Sequence, residues 1–257
     1  MVLKKLGEIK GPIIVWIFVV SYLTVLAVFS GSSTGTLPQA LTVSIVFALL
    51  IAMAQPFGLM LIFLVIFLAL YEKRHSLVEI FSSVGLKRKG IRKSVLWTFA
   101  LIPLVFVIYL LLMIISYFLG PISFPQASGS SNGQAPLWYL YYMIVYSFFP
   151  VAIVEETFAR GYLLDRLIPQ HPSSLLKALP AILLSSLLFT LYHLPTYLKV
   201  YQFSTAWAFA LLIGNVFPWS IILSIAYVKA ETRNIVVPVL MHFLADSMPI
   251  VLKLAFG

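Results

Sequence analysis

The sequence contains no cysteine among its 257 residues, so disulfide bonds, cysteine nucleophiles and cysteine metal ligands are all excluded. Charge is scarce as well: Asp, Glu, Lys and Arg make up 10% of the chain, whereas average domains carry about 25%. Hydrophobic residues reach 61%, and the mean hydropathy is +1.04. This composition excludes an ordinary soluble domain and predicts a membrane protein.

Charged residues are absent from two long stretches, 11–71 and 94–154, and both also lack histidine. A spanning helix needs about 20 consecutive apolar residues, so each stretch has room for more than one crossing. The pattern predicts an all-α fold, a polytopic transmembrane helix bundle of about seven spans.

The positions of the spans follow from the polar and turn-forming residues between them. We predict spans at 11–30, 38–71, 93–119, 137–167, 174–194, 204–228 and from 235 onward. The second is predicted to be one long helix kinked near Pro56, because two full crossings would place the basic segment 72–93 opposite the N-terminus. The uncharged segment 120–136, rich in Gly, Ser and Pro, is predicted to be an external loop. It separates N-terminal helices (1–136) from a C-terminal core (137–257).

The net charge of +9 is concentrated in the segment 72–93 and in three lysines near the N-terminus. Cytoplasmic loops carry an excess of Lys and Arg, so we expect a cytoplasmic N-terminus, with lipid rather than nucleic acid as a partner. We separately expect the membrane to be a prokaryotic plasma membrane. An interfacial helix within the basic segment is predicted by apolar residues at helical spacing: Leu77, Ile80, Phe81 and Val84.

The ionisable residues that interrupt the later apolar segments include Glu155, Glu156, Arg160, His193, His242 and Asp246. An ionised group at membrane depth costs about 2.5–3.5 kcal/mol on insertion scales, so such residues point to a functional site. Glu156 and Arg160, four residues apart, are expected to form a supporting pair on one helix face. Glu155 points about 100° away and has no nearby cation in the sequence, which leaves it free for chemistry.

His242 and Asp246 are also four residues apart, so the carboxylate can hydrogen-bond the imidazole and fix its tautomer. We predict that Glu155, His193, His242 and Asp246 meet in one intramembrane site. A carboxylate can act as a general base towards water, and imidazoles can supply donors where negative charge develops, which fits peptide hydrolysis.

Three motifs resemble those of the CAAX prenyl endopeptidase family, also called CPBP or Abi. Residues 155–160 (EETFAR) fit EExxxR, 189–193 (FTLYH) fit FxxxH, and 242–246 (HFLAD) fit HxxxN/D. Each motif alone is weak, but the three together, in this order, are specific, and the resemblance covers about 137–246. It implies an eight-helix intramembrane glutamate protease without a cofactor. The substrate would be a lipidated peptide of the CAAX prenyl type, or a membrane-embedded peptide.

The resemblance also implies a role for each site residue. Glu155 and His193 would activate a water, and His242 and the residue at position 246 would stabilise the oxyanion. The sequence departs from the family in two ways that affect these assigned roles. Asp246 stands where the prenyl endopeptidases have Asn, and an ionised Asp cannot donate a hydrogen bond. Only eleven residues follow Asp246, so we expect the last helix of the family to be missing.

Other functions remain open from the sequence. A zinc metallopeptidase could use Glu155, His193 and His242 as metal ligands, although the HExxH motif is absent. A non-catalytic protein of the same family, acting in bacteriocin self-immunity or as a scaffold, would keep the helices without the chemistry. A transporter could use the carboxylates as a proton relay, although no paired broken helices are evident.

Overall fold

Helices are the only regular elements in the part of the chain that the computed structural model describes, namely residues 6–29, 56–87, 90–119, 147–169, 174–200, 208–209, 211–230 and 233–256. In chain order they are α1 (Leu6–Phe29), α2 (Pro56–Leu70), α3 (Leu77–Ser83), α4 (Ile91–Leu119), α5 (147–167), α6 (Leu175–Tyr192), α7 (Leu194–Val200), α8 (Leu212–Lys229) and α9 (Val236–Phe256). The prediction of an all-α fold is confirmed for these ranges.

The predicted count of seven membrane spans is not confirmed. Among the residues whose side chains the structure also describes, two helical segments are long and apolar enough to cross a membrane: Leu175–Lys199, which comprises α6 and most of α7, and Leu212–Lys229, which is α8. Three shorter apolar helices accompany them: Lys10–Tyr22, Gly58–Leu70 and Val236–Met248. The first part of the second predicted span, the loop 120–136 and the start of the fourth span at 137–146 lie outside the described residues. The division at residue 136 therefore stays a prediction.

Helix α5 is mostly π-helical, which the sequence did not predict. Its residues Ser147–Ile153 and Thr157–Leu164 form π-helix, and the short α-helical stretches Val154–Glu156 and Asp165–Leu167 follow them. π-Helix is rare, and where it occurs it is frequently at a functional site. Every residue of the second π-helical stretch is buried, so α5 runs through the interior of the fold with its polar residues enclosed.

Helices α6 and α8 pack along each other, and α9 packs against both α4 and α5. Both helices carry small buried polar residues: Ser185, Ser186 and Thr190 on α6, and Ser220 and Ser224 on α8. The hydroxyl oxygens of Ser186 and Ser224 lie 3.4 Å apart across the interface. Small side chains let helix backbones approach closely and can hydrogen-bond between helices in an apolar environment.

The break between α6 and α7 falls at His193, one residue before the predicted end of the span at Leu194. Pro195 has no N–H and therefore cannot continue the hydrogen-bond ladder of α6. The His193 N–H instead donates to the Thr190 carbonyl oxygen at 3.1 Å, a three-residue closure that ends the helix. The chain then turns directly into α7.

Helix α3 forms within the basic segment where an interfacial helix was predicted. Ser76 caps its N-terminus by accepting a hydrogen bond from the Glu79 N–H at 3.2 Å. The residues of the predicted apolar stripe differ in burial, however. Ile80 is 4% exposed and Val84 is buried beside it, whereas Leu77 is 63% exposed on the outer side.

A polar cluster ties this basic segment to the ends of α5, α8 and α9. We call Glu72, Asp165, Arg166, Tyr227 and Arg233 the end cluster. The Arg166 guanidinium donates to both carboxylate oxygens of Glu72, at 2.7 and 3.3 Å. The Tyr227 hydroxyl donates to Asp165 at 3.2 Å, and Arg233 lies 3.6 Å from the same carboxylate. These contacts hold one end of α5 in place.

Gly161 on α5 lets the segment after α3 approach the helix directly. A β-carbon at this position would collide with the carbonyl oxygen of Val84. The neighbouring Gly85 has a φ of +81°, a conformation that favours glycine, and its carbonyl oxygen accepts the Ile235 N–H at 3.1 Å. The neighbour that comes close to Gly161 is therefore a turn rather than a helix.

Candidate active site

The two adjacent carboxylates of α5 point towards different neighbours. Glu155 and Glu156 are both buried. The Glu156 carboxylate turns to Arg160 on its own helix, at 2.9 Å. Glu155 turns instead to the junction of α6 and α7 and to α9. The divergence expected for neighbouring helical residues therefore sends one carboxylate to a cation and the other to the imidazoles.

Arg160 is held by partners on three helices. Besides Glu156, its guanidinium donates to the Ser220 hydroxyl at 2.7 Å and to the Ser220 carbonyl oxygen at 2.9 Å. It also lies over the ring of Phe189, 4.6 Å from the centroid. A buried charge needs a counter-charge and hydrogen bonds, and Arg160 has both. Ser220 has no signal of its own in the sequence, because it is one of many serines in apolar segments.

The hydrogen bonds of the two histidines define which ring nitrogen faces the site. The His193 Nδ1 lies 2.9 Å from the Phe189 carbonyl oxygen, and the His242 Nδ1 lies 2.7 Å from Glu156 Oε1. Both oxygens can only accept, so each Nδ1 carries the proton and donates it. In the neutral ring the Nε2 atom then presents a lone pair. Both Nε2 atoms are directed towards Glu155.

Glu155, His193, His242 and Asp246 come together in the structure. Glu155 Oε2 lies 3.6 Å from His193 Nε2 and 3.8 Å from His242 Nε2, and His242 Nε2 lies 3.5 Å from Asp246 Oδ2. The two distances from Glu155 Oε2 to the imidazoles are longer than a direct hydrogen bond. At such distances a water molecule can bridge the two groups. Among the described residues, no group hydrogen-bonds Glu155 Oε2, although this atom is buried.

Exposure increases in one direction across these four side chains. The side chain of Glu155 is 4% exposed, that of His242 is 9%, that of His193 is 19% and that of Asp246 is 37%. The carboxylate of Glu155 thus lies at the inner end, and Asp246 lies at the rim. A reactant would reach the imidazoles from the side of Asp246 and His193.

Tyr192 is a further contact of Glu155 that the sequence interpretation missed. Its hydroxyl donates to Glu155 Oε1 at 2.7 Å. The signal that could have identified it is its place directly before His193, within the FxxxH motif. An aromatic residue in an apolar helix is ordinarily interpreted as a packing residue, so the sequence alone does not single out Tyr192.

Three carboxylates, one guanidinium and two imidazoles make up the ionisable groups of this site. The carboxylates are those of Glu155, Glu156 and Asp246. With both imidazoles neutral, the formal charge would be −2; with both protonated, it would be zero. The carboxylates therefore outnumber the guanidinium, and the imidazoles are the groups that can balance the remaining negative charge.

Metal binding by the same residues was an alternative from the sequence. Within the described residues, no group of three or more His, Asp or Glu side chains has an arrangement that could hold a metal ion. The absence of a cofactor itself remains a prediction.

Comparisons with known proteins agree with the resemblance stated from the motifs. No curated protein and no solved structure matches the chain. A family model does match, over residues 136–248, the segment that contains all six site residues. That segment, and with it the site described above, matches the family of Rce1-like type II CAAX prenyl endopeptidases.

Proposed function

We propose that this protein is an intramembrane endopeptidase that hydrolyses a peptide bond with a water activated by Glu155 and His193. The main support for the proposal is that Glu155 Oε2 lies 3.6 Å from His193 Nε2 and 3.8 Å from His242 Nε2. These side chains come from three separate parts of the chain. A buried carboxylate oxygen without a hydrogen-bond partner calls for an explanation, and catalysis supplies one.

In the proposed reaction, a water held between Glu155 and His193 gives a proton to Glu155 Oε2 as its oxygen attacks the scissile carbonyl carbon. A C–O bond forms, and the carbonyl electron pair moves onto the oxygen. The C–N bond then breaks as the amide nitrogen takes the proton from Glu155, which leaves a carboxylic acid and an amine. His193 assists because its Nδ1–H is committed to the Phe189 carbonyl, so Nε2 accepts from the same water.

Stabilisation of the oxyanion is assigned to His242. Its Nδ1 donates to Glu156, so Nε2 can donate as well only when the ring is an imidazolium. The carboxylates of Glu155, Glu156 and Asp246 around it balance that charge. The role of Asp246, 3.5 Å from His242 Nε2, is to orient this ring at the rim of the site.

The substrate we propose is a lipidated peptide of the CAAX prenyl type or a membrane-embedded peptide, as the family match over residues 136–248 supports. A site between apolar helices suits a substrate that arrives from the bilayer. We propose an integral membrane protein, with lipid as a partner and no nucleic acid. Two helices long and apolar enough to cross a membrane support this.

A cytoplasmic N-terminus is proposed on the same basis. The start of α1 and the basic segment lie at one end of the helices, since a β-carbon at Gly11 would be 3.6 Å from the Tyr71 ring. Exposed basic residues belong to both: Lys10 to the start of α1, and Lys73, Arg74, Arg92 and Lys93 to the basic segment. An accumulation of Lys and Arg at one end is typical of the cytoplasmic side.

A farnesylated CAAX peptide, incubated with purified protein in ¹⁸O-water, tests the proposal by mass spectrometry. We expect release of the C-terminal tripeptide and one ¹⁸O atom in the new carboxyl group. Glu155→Gln should lower kcat by about 10²- to 10⁴-fold, the usual contribution of a general base. Glu79→Gln, the same substitution on α3 outside the site, should leave kcat within about 2-fold.

Full activity of Glu155→Gln would contradict the assignment of the general base. An inactive wild type, with farnesylated, non-prenylated and transmembrane peptides all uncut in vesicles, would favour the non-catalytic alternative.

A further inference from the structure

Both oxygens of the Glu155 carboxylate face consecutive residues at the end of α6. The Tyr192 hydroxyl donates to Oε1 at 2.7 Å, while His193 Nε2 lies 3.6 Å from Oε2. Tyr192 is only 1% exposed. Its ring packs against those of Phe158 and Phe189, with centroids 6.0 and 5.4 Å away. The hydroxyl is therefore presented to Glu155 by a side chain that has little freedom to move.

Two consecutive residues reach one carboxylate at the end of α6. Along an uninterrupted α-helix, neighbouring side chains point about 100° apart. Tyr192 is the last residue of α6, and His193 lies at the break before α7, where Pro195 prevents the ladder from continuing. His193 keeps helical backbone angles (φ −80°, ψ −14°), and its ring stands nearly perpendicular to that of Tyr192, at 84° with the centroids 4.4 Å apart.

The hydrogen bond from Tyr192 limits what the Glu155 carboxylate can do. A carboxylate held only at its stem would rotate and exchange its two oxygens. With Oε1 bound by the hydroxyl, Oε2 is kept on the side of the two imidazoles. A phenol hydrogen bond to an ionised acceptor is among the stronger ones in proteins, and burial strengthens it further.

We propose that Tyr192 is a positioning residue for the peptide hydrolysis: its hydroxyl fixes the Glu155 carboxylate so that Oε2 faces the attacking water. This inference rests on the proposed function for the reaction, and on the hydrogen bond alone for the orientation. Tyr192 acts through Glu155 and does not touch the reacting atoms.

The kinetic test replaces Tyr192 by Phe, which keeps the packing of the ring and removes only the hydroxyl. We expect kcat to fall about 10- to 100-fold, as for loss of a hydrogen bond to a charged group, with KM within about 3-fold. The matched control is Tyr227→Phe. Tyr227 is also buried, and its hydroxyl also donates to a carboxylate, that of Asp165 at 3.2 Å, but it belongs to the end cluster. This control should lower the melting temperature and keep kcat within about 2-fold.

A kcat of Tyr192→Phe within 2-fold of wild type would overturn the proposal. So would a loss of kcat no larger than that of Tyr227→Phe at the same loss of stability, because the hydroxyl would then be merely structural.

A second measurement does not depend on peptidase activity. Dicyclohexylcarbodiimide, an apolar reagent for carboxyl groups, is applied to the folded protein in detergent, and the modified peptide is quantified by mass spectrometry. We expect Glu155 to be labelled at least about 5-fold faster in Tyr192→Phe than in wild type, because Oε1 is no longer covered. Glu156, next to it and bound by Arg160, is the internal control and should be labelled at an unchanged rate.

Equal labelling of Glu155 in both proteins would overturn the orientation by Tyr192. An increase in labelling together with a wild type that cuts no peptide would uphold the orientation and remove the proposed function, so the two failures are distinguishable.

Discussion

The candidate site and the end cluster both place acidic and basic side chains on α5, within two turns of each other, and they differ in how those charges are matched. In the end cluster, Arg166 takes both oxygens of Glu72, and Asp165 meets Tyr227 and Arg233. In the site, Glu156 and Arg160 form a pair, but Glu155 faces two imidazoles and a hydroxyl. Matched charges hold elements together, and a carboxylate that faces titratable partners can exchange protons.

The difference shows that proximity of opposite charges does not by itself mark a catalytic centre. No end-cluster atom is among the buried polar atoms that lack a hydrogen bond within the described residues, whereas Glu155 Oε2, Glu156 Oε2 and Arg160 Nε are. Such atoms are retained only where folding or chemistry requires them. Substitutions at matched positions in the two regions therefore test the comparison.

The largest effect is expected for Arg160→Met. It leaves Glu156 buried without its cation, which costs about 3–5 kcal/mol for a broken buried pair. Denaturant unfolding in mild detergent measures the loss. The double variant Glu156→Leu/Arg160→Met should regain much of that stability, since apolar replacements of a buried pair are often neutral.

An activity assay distinguishes the structural role of the Glu156–Arg160 pair from the role of Glu156 in orienting His242. The double variant should remain at least about 10-fold less active, because His242 Nδ1 loses the carboxylate that sets its tautomer. A double variant with both stability and activity restored would show that the pair has no part in orienting His242.

A smaller effect on stability, and almost none on activity, is expected for Arg166→Met. This is the same substitution on the same helix, six residues further on, and it removes the bidentate contact to Glu72. Both side chains are partly exposed, so the loss should be about 1–3 kcal/mol. kcat should stay within about 3-fold in the peptide assay. A loss of activity as large as that of Glu155→Gln would mean that the end cluster belongs to the catalytic machinery.

Asp246→Asn should change kcat by less than about 10-fold, since position 246 lies at the rim and an Asn amide can both accept from His242 and donate to an oxyanion. Asp246→Ala should lose more, because it can do neither. A profile of kcat against pH for both variants is the measurement. Equal activity of the Ala and Asn variants would exclude a role for the side chain in orienting His242.

The smallest effect is expected from chelators. Dialysis against EDTA should leave the rate of peptide cleavage within about 2-fold, and metal analysis of the purified protein should find no stoichiometric zinc. Loss of activity that zinc restores would favour the metallopeptidase alternative, with Glu155, His193 and His242 as ligands.

Much of the site could be predicted because ionisable residues are conspicuous in an apolar sequence. Glu155, Glu156 and Arg160 interrupt a long uncharged stretch, and the spacing of Glu156 and Arg160 predicted the contact observed at 2.9 Å. Tyr192 and Ser220 were missed because tyrosine and serine are common in membrane helices. A functional tyrosine or serine can be told from the others only by its contacts in the folded structure. The end cluster was missed because its members come from distant parts of the chain.

The fold was predictable in class and less so in detail. Hydropathy predicted helices, since backbone groups in an apolar medium must hydrogen-bond within their own segment. It did not predict the π-helical backbone of α5 or the burial of only half of the α3 stripe, because both depend on what packs against those residues.

The amino-acid sequence alone determined that this chain forms apolar helices and that a few ionisable side chains must be placed among them, because composition and spacing are local properties. Only the tertiary structure decided which of those side chains meet. The pairing of Glu155 with Tyr192 and two imidazoles depends on the packing of α6 and α9 beside α5, and contacts between residues far apart in the chain arise only when the helices pack.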